Sequence, residues 1–246
     1  MWVVASLLMG LRIGPVFAFA PSFSLVRLPR TFRMLLALGL SAALVSGNLA
    51  QARLPDLALG TLVMSAIREL ALGVTIALAF QLTFAALYMA GRTVDVQAGF
   101  GLAMLIDPTS KVQAPLIGSL FAYAAGALFF AANGHIDLLR LLMASLDAVP
   151  LGTWTMAGSL DRLLIFISAV FLTGFGVAGA AVLTMFLIDM MIALLSRTVP
   201  QMNVLVMGFQ VKTIALMLVL PVCFGLGGAL MVRMLRITLE ALPGLI

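Results

Sequence analysis

Six apolar stretches, near residues 2–20, 33–50, 62–90, 115–132, 161–195 and 212–236, divide this chain. Each reaches the roughly 17–25 residues that a membrane-spanning helix requires. A single soluble core cannot absorb them: 63% of the residues are hydrophobic and 9% charged, against about half apolar and a quarter charged in soluble domains. Mean hydropathy is +1.22. The expected fold class is an all-α integral membrane protein of about six long helical segments, some kinked or re-entrant. So much apolar surface leaves lipid or partner subunits to cover what the chain cannot bury itself.

The linkers are short and strongly marked: Pro21 to Pro29, Pro55-Asp56, and Gly91 to Pro115. Short connections favour antiparallel helical neighbours, and residues 1–246 are read as one membrane-embedded domain. The third and fifth segments exceed one perpendicular span, so tilt, kinking or protrusion into protein is expected. Gly174, Gly176 and Gly179 suit a bend or close helix approach in the fifth. In the longest linker, 133–160, Ile136 to Leu142 carries its apolar residues at helical spacing, as in a short interfacial or docking helix. Residues 2–20 have no basic region before them and contain Arg12, which favours a mature helix over a signal peptide. Lys and Arg are slightly richer in the odd linkers, which the positive-inside rule assigns to the cytoplasm.

The 14 basic residues are scattered, unlike a phosphate-tracking patch, so nucleic acid is not an expected partner. Cys223, the sole cysteine, is expected to pack as a small hydrophobe. His135 has no partners at metal-ligand spacing; its expected role is at a helix C-terminus, with Gly134 left-handed. No nucleophile elbow, zinc-protease motif or P-loop occurs, so neither an enzyme nor a cofactor is expected.

Ionisable groups at membrane depth cost about 2.5–3.5 kcal/mol or more unless paired or hydrated. Arg68, Glu69, Arg92, Asp95, Asp107, Asp189, Arg197 and Lys212 are the set to explain. Two readings stand: a proton or ion relay, or structural pairing such as Arg92 with Asp95 three residues on. Two polar stretches add to these. Arg197-Thr198-Val199-Pro200-Gln201-Met202-Asn203 breaks the helical pattern between two long segments, and irregular backbone beside hydrocarbon must be buried in protein or line a cavity. Gly91 to Pro108 combines Gly99, Gly101, Phe100, Met104, Leu105 and the turn-forming Asp107-Pro108. It is either a deformable apolar constriction that gates by excluding water or an ordinary packed connector.

Taken in order, Glu69 with Gly73; Gly91, Asp95, Gln97, Gly99, Phe100 and Ala103; Asp107-Pro108 and Pro115; Asn133-Gly134-His135; Pro150; and Arg197, Pro200-Gln201-Met202-Asn203, Gly208 and Lys212 resemble the FliR family of type III secretion export-gate subunits. The match covers most of the chain and looks more like the flagellar branch than the injectisome branch. The resemblance implies a core subunit of the export gate in the bacterial inner membrane, within the flagellar basal body. It implies FliP-like, FliQ-like and FlhB-like partners, and passage of unfolded flagellar subunits through a helical, conical assembly. It also implies a plug loop mapping onto roughly Gly99 to Lys111. On that view Phe100, Leu102, Met104, Leu105 and Ile106 seal the lumen, Gly99 and Gly101 are hinges, and Asp107-Pro108 anchors the plug. Arg197, Pro200, Gln201, Met202 and Asn203 form a structural loop or subunit contact, with Arg197 meeting a partner carboxylate or lipid phosphate. Glu69, Arg92, Asp95, Asp189 and Lys212 are the buried charges. The competing expectations are a permease coupled through Asp95, Asp107 and Asp189, and a scaffold without a pore.

Overall fold

A computed structural model describes residues 1–20, 29–48, 58–100, 115–155, 160–198 and 203–245. Every regular element among them is an α-helix: α1 (Trp2–Phe19), α2 (Arg30–Gly47), α3 (Leu59–Gln97), α4 (Leu116–Ala131), α5 (Gly134–Ala148), α6 (Leu160–Thr198) and α7 (Val204–Leu245). Four are long and apolar enough to cross a membrane, or five if the broken pair α4 and α5 counts as one span. The integral-membrane, all-α expectation holds. The remaining apolar helix, Thr31–Gly47, is shorter.

The expected boundaries fall short at three helices. α3 runs on from residue 90 to Gln97, α6 spans 39 residues, and α7 begins at Val204 rather than near 212 and spans 42. At about 1.5 Å per residue, 39 residues make about 58 Å, nearly twice the hydrocarbon thickness. Apolar length therefore undercounts α3 and α6, whose carboxyl ends continue through polar residues that lipid need not cover, and α7, which runs through Gln210 and Lys212 without a break. Arg92, Asp95 and Lys212 consequently lie within helices.

The chain divides into two compact units, Met1–Thr83 with Phe129–Ala169 and Leu235–Ile246, and Phe84–Leu128 with Val170–Met234. In the first, Leu72, Ile76 and Phe80 recur every fourth residue on one face of α3, and Leu138, Leu142 and Leu146 do so on α5; all are fully buried. Such spacing places side chains in one stripe facing the core. Phe80 meets Phe129 edge to face at 5.8 Å. In the second unit Leu87, Ile117, Phe121, Ala178, Ala181, Met185 and Leu216 form the core. Cys223 is buried, 1% exposed, as expected of a small hydrophobe.

The break between α4 and α5 corrects the sequence reading of Gly134. Asn133 takes the left-handed conformation, at φ 58° and ψ 23°, and Gly134 is the first residue of α5. A Cβ on Gly134 would lie 2.6 Å from the Phe129 ring, so glycine is required there by space. Asparagine tolerates the left-handed region better than most residues, which frees Gly134 for the packed position. His135 therefore lies in the first turn of α5 and against Phe130, centroids 5.6 Å apart. Residues 101–111 of the expected plug, and Pro200, Gln201 and Met202 of the expected loop, lie outside the described residues.

Candidate functional site

Two buried polar constructions stand out, one in each unit. In the first, a glycine lets α1 and α3 touch: a Cβ on Gly73 would lie 2.3 Å from the Arg12 carbonyl oxygen. One turn earlier on α3, Glu69 receives Arg12. Arg12 Nε donates to Glu69 Oε2 at 2.6 Å and Nη2 to Oε1 at 3.0 Å. Nη1 donates to the Ser145 carbonyl and hydroxyl at 3.0 and 3.2 Å, and Nη2 also to the Val149 carbonyl at 3.0 Å. These contacts engage all five guanidinium N–H donors. Arg12 and Glu69 have fully buried side chains, and the cation sits at the carbonyl end of α5, where the helix dipole favours it.

The carboxylate has a further donor. Gly152 N–H reaches Glu69 Oε1 at 2.8 Å, while the Gly152 carbonyl accepts from Arg68 Nη1 at 2.9 Å. Gly152 has φ +77°, and a Cβ there would lie 2.4 Å from Ser65 Oγ, so both backbone and space demand glycine. The sequence reading named Glu69 and Arg68 but missed Arg12, Ser145 and Gly152 as their partners. An arginine inside an otherwise apolar helix was the available signal, since such a charge needs a partner.

The second unit repeats the device. α3 and α4 cross where Gly91 faces Gly118, and a Cβ on Gly91 would lie 2.5 Å from Gly118 Cα. One turn later, the Asp95 carboxylate accepts the Ile117 amide at 3.0 and 3.1 Å and the Gly118 amide at 3.3 Å. It caps the first turn of α4 from a neighbouring helix, satisfying amides that have no partner within their own helix. Asp95 thus does not pair with Arg92, as considered from sequence: its oxygens are engaged by α4, and Arg92 is exposed.

α3 then stops in a Schellman motif. Phe100 N–H bonds to the Asp95 carbonyl at 3.0 Å and Gly99 N–H to the Val96 carbonyl at 3.1 Å, with Gly99 at φ +86°. This left-handed residue ends the helix and turns the chain away. Beside it, Lys212 Nζ donates to the Gln97 carbonyl at 2.8 Å and pairs with Asp189 Oδ1 at 2.5 Å. Phe100 meets Phe209 edge to face at 6.3 Å. Asp95, Gly99, Phe100, Asp189 and Lys212, named separately from sequence, therefore converge around the end of α3. The described residues on either side of 101–114 are held there, Gly99 and Phe100 by the Schellman turn and Ile117 and Gly118 by the Asp95 cap.

Arg197 is exposed near the end of α6, and Asn203 Oδ1 accepts the Val206 amide at 3.3 Å in the first turn of α7. Among the described residues no group of three or more His, Cys, Asp or Glu side chains is placed to hold a metal ion.

Known proteins resemble the chain over nearly its whole length. Residues 3–237 match the family described as bacterial export proteins, family 1. The chain is 28% identical to the flagellar biosynthetic protein FliR of Bacillus subtilis, over 98% of this chain and 94% of that protein. It is 27% identical to the Escherichia coli protein of the same name, over 81% and 76% respectively. It is also 30% identical to the Yop proteins translocation protein T of Yersinia pestis, over 66% of this chain and 64% of the relative.

Proposed function

The chain belongs to the bacterial export proteins, family 1, and from that premise we propose that it is a core subunit of the flagellar type III secretion export gate, forming part of the channel for unfolded flagellar proteins. At the coarser level it is a multi-pass inner-membrane component of a type III export apparatus, in line with its FliR relatives and its apolar helices. Its contribution is structural: it shapes a conduit and its closure.

The observation that carries the gate proposal is how the described residues on either side of 101–114 are held. The Schellman turn at Gly99 and the Asp95 cap on α4 hold the two ends near one another. Phe100, Leu102, Met104, Leu105 and Ile106 are the sealing residues, Gly99 and Gly101 the points of rotation, and Asp107-Pro108 the terminating turn. The Gln97–Lys212–Asp189 contacts brace the near end.

FliP-like, FliQ-like and FlhB-like subunits are the proposed partners. The apolar windows of α6 and α7 are only 28% and 22% buried, against 56% in α3. That difference supports coverage of α6 and α7 by lipid or other subunits. Pro200, Gln201, Met202 and Asn203, with Arg197, are the proposed loop contact between those helices. Gentle-detergent purification of the tagged chain with its neighbouring gene products, followed by native mass spectrometry, tests the assignment. The expected result is one copy in a large complex with FliP-like and FliQ-like subunits. A stable monomer or symmetric dimer that transports a small solute would replace it with the permease.

A further inference from the structure

α3 ends on four carbonyls that no later turn of the helix can satisfy. The chain settles three of them locally: Ala98 N–H reaches the Val94 carbonyl at 2.8 Å, and the Schellman turn takes those of Asp95 and Val96. The fourth, on Gln97, is taken from another helix, by Lys212 Nζ of α7 at 2.8 Å. The helix dipole favours a cation at that end. Phe209, three residues before Lys212 on α7, bears on the same point through its edge contact with Phe100. α7 thus grips the end of α3 twice, through one charge and one ring.

This grip differs in kind from the hold on α4. Asp95 is 5% exposed, and its oxygens accept two α4 amides beside the crossing of Gly91 and Gly118. Opening that contact would strand a carboxylate in the core. Lys212 instead pairs with Asp189, whose side chain is 47% exposed, and water replaces either partner of such a pair at little cost. Phe209 is 41% exposed, and Val206, Met207 and Ile214 are more so. Few apolar contacts within the chain hold this start of α7, which is the character of elements that move.

We propose that Lys212 and Phe209 form a releasable latch on the end of α3, with Asp189 as the catch that keeps Lys212, while the Asp95 cap holds α4 fixed. On release Lys212 retains Asp189 and gives up only the Gln97 carbonyl, so neither charge is left bare. The latch acts on the gate proposed above and rests on that reading. It adds which flank yields: α3 and not α4.

The test locks the latch. Phe100→Cys and Phe209→Cys are introduced together with Cys223→Ala, and the pair is bridged by a reducible bifunctional thiol cross-linker in membrane vesicles that carry the assembled complex. Protein export is expected to be lost on bridging and to return when the bridge is reduced. A contact that only builds the fold is indifferent to a bridge, so export through the bridged complex at the unbridged rate would overturn the latch. Should the cysteine chain not assemble, or not export before bridging, Lys212→Met decides. It should speed hydrogen exchange at the Gly99 and Phe100 amides roughly tenfold, as loss of one charge-assisted bond allows, with Ile117 and Gly118 unchanged and Lys212→Arg restoring the native rate. No acceleration, or equal acceleration on both flanks, would overturn the latch. Deletion of residues 101–105 separates the latch from the gate. Leak on deletion, with export unhindered by the bridge, overturns the latch alone; an intact deleted complex without leak overturns the gate beneath it.

Discussion

Arg12 shows how a single residue is explained by the chain around it. Within α1 it is an isolated charge, and only the crossing at Gly73 brings Glu69, distant in sequence, to its guanidinium. Replacing one member strands the other, so Arg12→Met or Glu69→Leu alone should cost about 3–5 kcal/mol. The double replacement should recover most of that loss. Thermal unfolding of the purified chain in detergent checks the cycle; additive losses would mean that the two charges do not act as a pair. Gly152 gives a second prediction at this scale. Gly152→Ala forces a side chain into left-handed backbone and against Ser65, costing about 1–3 kcal/mol, whereas Gly39, with nothing within 4 Å of a Cβ, should gain up to about 1 kcal/mol on becoming alanine. The sequence displayed Arg12 as an interruption and Glu69 as a charge to be explained. It did not display their pairing, because the distance between helices is set by backbone contact at a glycine.

Among elements, the helices themselves were legible, since hydrophobic length and period report burial and span. Their ends were not, because α3 and α6 continue through polar residues and α7 runs unbroken across Gln210 and Lys212. The Schellman stop at Gly99 was partly legible: glycine there signalled a conformation closed to other residues, although not the bonds it makes. The role of Asp95 was hidden because its acceptors serve α4, after an intervening segment. Asp95→Asn should loosen that cap by about 0.5–2 kcal/mol, read as up to roughly thirtyfold faster hydrogen exchange at the Ile117 and Gly118 amides if local opening governs their exchange. Exchange in the first turn of α4 that matches the native chain would show that the carboxylate is not what holds it. Gly91→Val should act more severely on the same two helices, since the Cβ has no space beside Gly118; retention of native unfolding behaviour would contradict that crossing.

For the whole molecule, composition already excluded a single soluble core, while the segment proposed as the seal had to be argued from its flanks. Gly99 and Phe100 are fixed, Pro115 leads into a capped helix, and the proposed seal lies between. A hydrophobic seal works by excluding water and ions from a narrow passage, so shortening it should open the passage without removing the anchors. The decisive measurement is ion conductance across membranes containing the assembled complex, with residues 101–105 deleted from this chain and assembly verified by native mass spectrometry. An intact complex with ion leak well above that of the native complex is the expected result. An intact complex whose leak and protein export both equal the native values would contradict the gate.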